Sequence, residues 1–328
     1  MTPAPPPSAP DPPSALAPPS VPGPPSVPGP PSVPGPLSVP GPPGAAGGGV
    51  AAARPHTRAS LAAQLHDLGV RPGGIVLVHA GLRALGFVCG GPQAVALALL
   101  DVLGPEGTLV VPTHTPENSD PAGWSNPPVP ADWWPVIRAG TPGFDPAVTP
   151  SRFMGALAET VRGWPGARRS DHPHVSFAAL GAAAEEIVAG HPLADMLGSG
   201  SPLGRLYDLD ADVLLLGVDH GCNTSLHLAE YRQAAPPRER VGAAVRTRDG
   251  GQDWAWWEDV AVDSADFPRL GADLESTGAV RIGPVGDGTG RSMRQRAAVD
   301  FAVDWLARNR RTEDAWRPGT PAVSAGGS

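Results

Sequence analysis

The chain has 328 residues, a formal net charge of -8 and two cysteines. Net acidity argues against a general nucleic-acid binder, two cysteines supply neither a disulfide framework nor a zinc motif, and no apolar run approaches the roughly 18 residues that a membrane-spanning helix needs. All 24 Lys+Arg positions are arginine, so a phosphate clamp must use arginine, hydroxyls or backbone amides, and no lysine can form a Schiff base.

The chain opens with Pro-Ser-Val-Pro-Gly-Pro repeated from Pro19, Pro25 and Pro31, and a fourth copy, starting at Leu37, ends at Pro42. Proline fixes φ and removes donors, so residues 1–53 read as an extended, solvated leader with no signal-peptide pattern. Residues 54–310 form the folded domain and 311–328 a flexible tail.

Leu61, Leu65 and Leu68 share one face, which predicts a helix over Ser60 to Leu68. Ile75 to His79 is a short buried strand. Ala80 to Gly91 is a loop into a helix from Pro92 to Leu103, and Gly107 to Pro112 is a second buried strand. That succession is a βαβ unit. Thr115 to Pro150 is a Trp/Pro-rich insertion, too long for a plain connection. Helices follow at Arg152 to Val161 and Ala182 to Ala189, around a strand at Ser176 to Leu180. Asp212 to Val218 is the clearest buried strand, and a helix starts from Asn223 and runs to Arg232. A half-buried strand at Trp254 to Val262, a helix at Phe267 to Glu275, a strand at Val280 to Ile282 and a helix at Arg291 to Arg308 complete the domain. The expected fold is α/β, with a mixed, largely parallel central sheet flanked by helices.

Four segments could carry chemistry. The loop Ala80 to Gly91 joins a buried strand to a helix N-terminus, where free amides favour phosphate. It fits an ordinary connection equally well, because it matches neither a dinucleotide fingerprint nor a P-loop. Asn223 to Glu230 follows the strongest strand, where α/β sheets gather ligands. There Thr224, His227 and Glu230 are spaced i, i+3, i+6, and a carboxylate-oriented histidine can deprotonate an amine. A surface His–Glu pair, with Asn223 or Thr224 as a helix cap, has the same spacing. Arg169 to Phe177 contains His172 and His174, which fit a polar turn, a substrate wall or, with further ligands, a metal site. Trp124, Trp133 and Trp134 in the insertion could stack on sugar rings or hold the loop down, and Asp120 and Glu117 could meet a cation. His79, His114, His191 and His220 read as structural or surface residues, of which His114 and His220 stand nearest the expected site.

Several blocks, in order, carry a resemblance: Val76 to His79 with Leu85-Gly86 and Gly90-Gly91; Gly107-Thr108 through Val111-Pro112-Thr113; Ser125 to Pro130; Arg169 to Pro173 with Ser176 to Ala179; Ser201-Pro202-Leu203; and Leu215 to Gly217 with Asn223-Thr224 and His227 to Glu230. The chain resembles the antibiotic N-acetyltransferase family over about Ser60 to Arg308. The resemblance implies that family's α/β architecture and acetyl transfer from acetyl-CoA, as co-substrate and without a metal, to the 3-amino group of 2-deoxystreptamine aminoglycosides, giving antibiotic resistance. It implies His227, Glu230 and Thr224 as catalytic residues. It places Gly81, Leu82, Arg83, Val88, Gly90, Gly91, Thr113, Ser176 and Phe177 toward acetyl-CoA, and Asp120, Trp124, His172 and Glu230 toward the amine substrate. The expected partner is a small-molecule aminoglycoside or related amine, with no nucleic acid and no membrane, handled by a cytoplasmic monomer or homodimer. The alternatives are an N-acetyltransferase acting on a different amine of antibiotic biosynthesis, and a metal-dependent hydrolase.

Overall fold

The computed structural model describes Met1 and residues 54–125 and 127–310. The expected leader and tail, and Asn126, lie outside the described residues.

Helix α1 (Arg58–Asp67) begins on a capping box in which the Thr57 side chain accepts from the Ser60 amide and the Ser60 side chain from the Thr57 amide. Strand β1 (Ile75–Ala80), helix α2 (Gly91–Leu103) and strand β2 (Thr108–Pro112) form the expected βαβ unit. The insertion holds helix α3 (Trp134–Gly140) among short 3-10 turns. It is tied to a later hairpin, because Asn118 donates Nδ2 to the Ala244 carbonyl at 3.0 Å and accepts the Ala244 amide at 2.9 Å.

Helix α4 (Gly155–Arg162) starts later than its pattern suggests, since Phe153 at φ 60 and Gly155 at φ 83 break the right-handed turn. Then come β3 (Arg168–Arg169), β4 (Phe177–Gly181), α5 (Ala184–Val188), α6 (Pro202–Asp208), β5 (Asp212–Leu216) and α7 (His227–Tyr231). A hairpin of β6 (Arg238–Arg246) and β7 (Gln252–Val260) leads to α8 (Phe267–Ser276), β8 (Val280–Val285), β9 (Gly288–Arg294) and α9 (Gln295–Asn309). The first four residues expected to open the last helix are β9 instead. The backbone of Ser292 to Arg294 pairs with β5, and α9 starts only at Gln295.

The seven-stranded sheet has the order β3-β4-β2-β1-β5-β9-β8, and β6-β7 stands apart as a two-stranded sheet. The sheet is mixed, as expected. Its parallel pairings join β2, β1 and β5 at the centre, and its flanks pair antiparallel. The parallel centre aligns the carboxyl ends of β2, β1 and β5 along one edge.

Side chains alternate across a strand, and the sheet shows it. Val76 and Val78 pack with α1, α2 and α4 on one face. Leu77, Val213 and Leu215 pack with α5 to α9 on the other. His79, two residues beyond Leu77, belongs to the second face, which also carries α7.

Leu77 is fully buried at the middle of the sheet. Leu77→Ala should therefore lower the unfolding free energy by about 2–5 kcal/mol, the usual cost of a buried leucine cavity. Urea unfolding would show it as a lower midpoint at unchanged slope, and an unchanged midpoint would contradict this placement of the core.

Candidate active site

The site is built at the carboxyl edge of the central strands. After β5 the chain turns at Gly217, and Asn223 caps a 3-10 turn, its side chain accepting the Ser225 amide at 3.2 Å. The sequence pattern suggests one continuous helix from Asn223, but Thr224–Leu226 is 3-10 and α7 begins at His227. Thr224 lies just before it and is 8% exposed.

One turn of α7 separates His227 from Glu230, and the side chains meet, with Nδ1 2.6 Å from Oε2 of Glu230. A buried carboxylate is an acceptor only, so Nδ1–H donates and the basic lone pair is left on Nε2. The other carboxylate oxygen accepts the Asp263 amide at 2.9 Å and a guanidinium N–H of Arg310. Arg310 is itself held by both oxygens of Asp266. The His227 ring packs against Phe267, with centroids 4.9 Å apart. This is a fixed, buried dyad rather than a solvated surface pair.

More histidines line up beside it. His79 ends β1 and His114 follows β2. His174 precedes β4, where the ladder continues through Thr113 N to Ser176 O and Thr115 N to His174 O, both at 2.8 Å. β4, β2 and β1 are neighbours in the sheet, and the charges of His174, His227 and His79 all bear on His114. Nε2 of His79, Nε2 of His114 and Nδ1 of His174 are buried without a hydrogen-bond partner. Burial, with the neighbouring His227, draws the His79 imidazole down to about 3. Burial draws His174 down to about 4 and His114 well below its ordinary value. The floor of the site is thus a row of neutral imidazoles. The sequence reading classed His79 and His114 as structural or surface residues. The signal that groups them is their shared position at the ends of parallel neighbours.

The loop from Gly81 to Gly91 borders this row. The Gly81 amide donates to Leu216 O at 2.8 Å, and a Cβ there would stand 2.9 Å from the Gly217 carbonyl, so only glycine allows the approach to β5. Leu82 and Arg83 lie in a 3-10 turn, and Val88 forms a bridge with His56. Gly90 and Gly91 have φ of 85 and 56, the left-handed region that favours glycine, and lead into α2. Open space surrounds the Gly91 Cβ position. The loop is pinned at both ends and presents backbone at a helix start.

Thr113, Ser176 and Phe177 are fully buried. Arg169 Nε donates to Thr113 Oγ1 at 3.1 Å and Ser176 Oγ at 3.0 Å, so both hydroxyls are committed inside the protein. Phe177 sets its ring 5.4 Å from His114, edge-on. These three residues support the site from behind.

His172 stands apart from any substrate wall. It is fully buried, its Nδ1 accepts the amides of His174 at 3.1 Å and Val175 at 3.0 Å, and its Nε2 lies 3.2 Å from Leu193 O. Both ring nitrogens are spent on backbone, which leaves none for a substrate or a metal. Asp120 accepts two N–H bonds from Arg138, at 2.9 and 2.6 Å, and Trp124 donates to Ser119 Oγ at 2.9 Å, so both hold the insertion together.

Acidic groups missed by the sequence reading gather beside α7. Asp259 is fully buried and accepts the Met196 amide at 2.9 Å, and Asp195 accepts the Gly200 amide at 2.6 Å. Burial, and then Asp259, push the carboxyls of Asp195 and Glu239 up. Burial, and then Asp259, likewise raise the Tyr231 hydroxyl, which places α7 against this group. The carboxylates come from three separate segments, and no spacing in the sequence joins them.

The family described as Aminoglycoside 3-N-acetyltransferase matches residues 77–307. The SPbeta prophage-derived aminoglycoside N(3')-acetyltransferase-like protein YokD of Bacillus subtilis is 40% identical over 256 residues, covering 78% of this chain and 94% of YokD. Its crystal structure superposes with a TM-score of 0.76 at 39% identity, covering 78% of this chain and 95% of that one. AAC-IIIb in a binary complex with CoASH gives a TM-score of 0.69 at 31% identity, covering 82% of this chain and all (100%) of that one. AAC-VIa bound to sisomicin gives 0.70 at 30% identity, covering 79% and 100%.

The neutral histidines make stability depend on pH. In the unfolded chain each protonates near 6.5, whereas folded His79 waits until about 3, and His174 and His191 until about 4. The unfolded state therefore binds more protons below about 6.5, and this contribution, full above that pH, is lost as pH falls toward 4. Between pH 7 and pH 5 each should cost on the order of 1–2 kcal/mol. Urea midpoints should fall across that interval, and a flat profile would contradict neutral burial.

Proposed function

Because the chain belongs to the aminoglycoside 3-N-acetyltransferase family, and so is an acyltransferase, we propose that it transfers the acetyl group of acetyl-CoA to the 3-amino group of a 2-deoxystreptamine aminoglycoside and so protects against that antibiotic. The carrying observation is the His227–Glu230 dyad, in which the carboxylate on Nδ1 leaves Nε2 as the basic nitrogen. The sisomicin complex of AAC-VIa and the CoASH complex of AAC-IIIb support the two substrate classes.

On this reading the amine is delivered as an ammonium, drawn by the partly buried Asp195 and Glu239, and loses one proton to solvent before it reacts. The neutral nitrogen attacks the thioester carbonyl as His227 Nε2 takes a second proton from it, and Glu230 steadies the resulting imidazolium. The Thr224 hydroxyl donates to the developing oxyanion. Gly81, Leu82, Arg83, Val88, Gly90 and Gly91 hold the CoA portion through backbone and the start of α2. Thr113, Ser176 and Phe177 keep that edge of the sheet rigid beneath it. Acetyl-CoA supplies an activated acyl group. The protein supplies the base, the oxyanion donor and the removal of water.

Free-thiol release from acetyl-CoA, measured against a panel of 2-deoxystreptamine aminoglycosides with mass spectrometry of the products, tests the reading. One added acetyl group at the 3-amine is the expected result. Tight acetyl-CoA binding without release on any panel member would instead move the substrate to another amine. His227→Ala should lower kcat by about 10²–10⁴, the range for a general base, with acetyl-CoA affinity kept. A near wild-type kcat would remove His227 as the base.

A further inference from the structure

An acyl transfer needs donors aimed at the carbonyl oxygen as it gains charge. Four backbone amides at this edge are already used. Gly81 N donates to Leu216 O, Gly217 N to Thr289 O, Leu226 N to Asn223 O and Ser225 N to the Asn223 side chain. Side chains at the same edge can supply the donor. Thr224 is one.

His79 has the other features required. It ends β1, the parallel neighbour of β5, and pairs in register with Leu215 of the strand that delivers His227. By strand alternation its side chain lies on the sheet face that carries α7. The residue is 6% exposed, and Nε2 is enclosed with no partner in the protein. A buried polar atom without a partner costs free energy, and such a cost persists in a native fold where a ligand removes it. His114 lies one strand further away, and its ring is edge-on to Phe177.

We propose that His79 is a second catalytic residue, a neutral histidine whose Nε2–H donates to the thioester carbonyl oxygen beside the Thr224 hydroxyl. The assignment rests on the acetyl-transfer reading of the same site. The amine nitrogen forms its bond to the carbonyl carbon, the C=O electron pair moves onto oxygen, and His79 holds that oxygen without giving up its proton. On collapse the C–S bond breaks, and the proton taken by His227 passes to sulfur. Burial in the histidine row keeps His79 uncharged through neutral pH. A neutral donor stabilises the oxyanion without repelling an incoming ammonium.

The test compares wild type, His79→Phe and His79→Gln by kcat, by KM for acetyl-CoA and by melting temperature. His79→Phe should lose about 10²–10³ in kcat, as for loss of one oxyanion donor, with KM for acetyl-CoA within about threefold. His79→Gln, which restores an N–H, should recover about tenfold or more of that loss. A His79→Phe kcat within about threefold of wild type overturns the proposal, as does an equal loss in both variants that tracks melting temperature. If His79→Phe does not fold, ¹⁵N-histidine NMR of the wild-type protein decides, using an acetyl-CoA analogue with carbon in place of sulfur. The His79 Nε2 resonance should move on binding, and an unmoved resonance overturns the proposal. Wild-type protein inactive on every amine would defeat the acetyl-transfer reading itself. An active wild type beside an equally active His79→Phe defeats only the assignment of His79.

Discussion

Glu230 is the charge around which the site is organised. Its side chain keeps only 4% of its accessible surface, and a carboxylate removed from water must be matched by donors or it will not stay charged. Three donors meet it: the His227 ring, the Asp263 amide and the Arg310 guanidinium. They come from α7, from the segment after β7 and from the residue that follows α9. One buried charge thereby ties together three parts of the chain far apart in sequence. The same match fixes the tautomer of His227, because a carboxylate on Nδ1 leaves Nε2 as the base. Losing a partner from such a group leaves an uncompensated buried charge, typically a penalty of about 3–5 kcal/mol. Stability and catalytic geometry rest on the same contacts.

The sheet supplies the second constraint. Parallel β2, β1 and β5 end along one edge, and antiparallel β4 brings the chain back to that edge from the opposite direction. Four histidines from four segments therefore fall in one row with no motif linking them. His79 and His114 lie by alternation on the face that α7 covers, so the dyad and these imidazoles share one desolvated environment. Water exclusion strengthens the electrostatic interactions of the site and lowers the histidines' affinity for protons.

Much of this was legible before the fold. Ile75 to His79 and Asp212 to Val218 are unbroken apolar runs bounded by turns, and such runs mark buried strands wherever they fall. His227 and Glu230 were legible as a pair because i, i+3 spacing makes neighbours on any helix. Three kinds of feature were not. Strand β6, Arg-Glu-Arg-Val-Gly-Ala-Ala-Val-Arg, has charged and small residues in place of β-branched ones, and its partner β7 defines it. Strand β9, Gly-Thr-Gly-Arg-Ser-Met-Arg, has Thr289 as its one β-branched residue and owes its strand state to β5 and β8. Arg310 read only as the last residue of the folded domain, beyond the last helix, yet it closes on Glu230, and only tertiary contact reveals that. His172 erred in the opposite direction. Polar residues beside a strand look available, but this ring satisfies the backbone of its own turn and the carbonyl of Leu193.

The distribution of charge suits two demands that conflict on the proposed substrate. A polyamine is best attracted by negative charge, but the nitrogen that reacts must be neutral, and a strong anion beside it would favour its protonated form. The fold separates these tasks. Asp195 and Glu239 lie at the loop and hairpin beside α7, where on the proposed function they meet amines that do not react, while fully buried Asp259 is spent on backbone amides. At the reacting end the carboxylate of Glu230 is screened by Arg310 and reaches the substrate only through the His227 ring. His79 and His114 beside it are kept neutral by burial. On the proposed mechanism a substrate amine placed there meets a base and hydrogen-bonding rings rather than a bare anion, so it reacts as the neutral amine instead of being pinned as a cation.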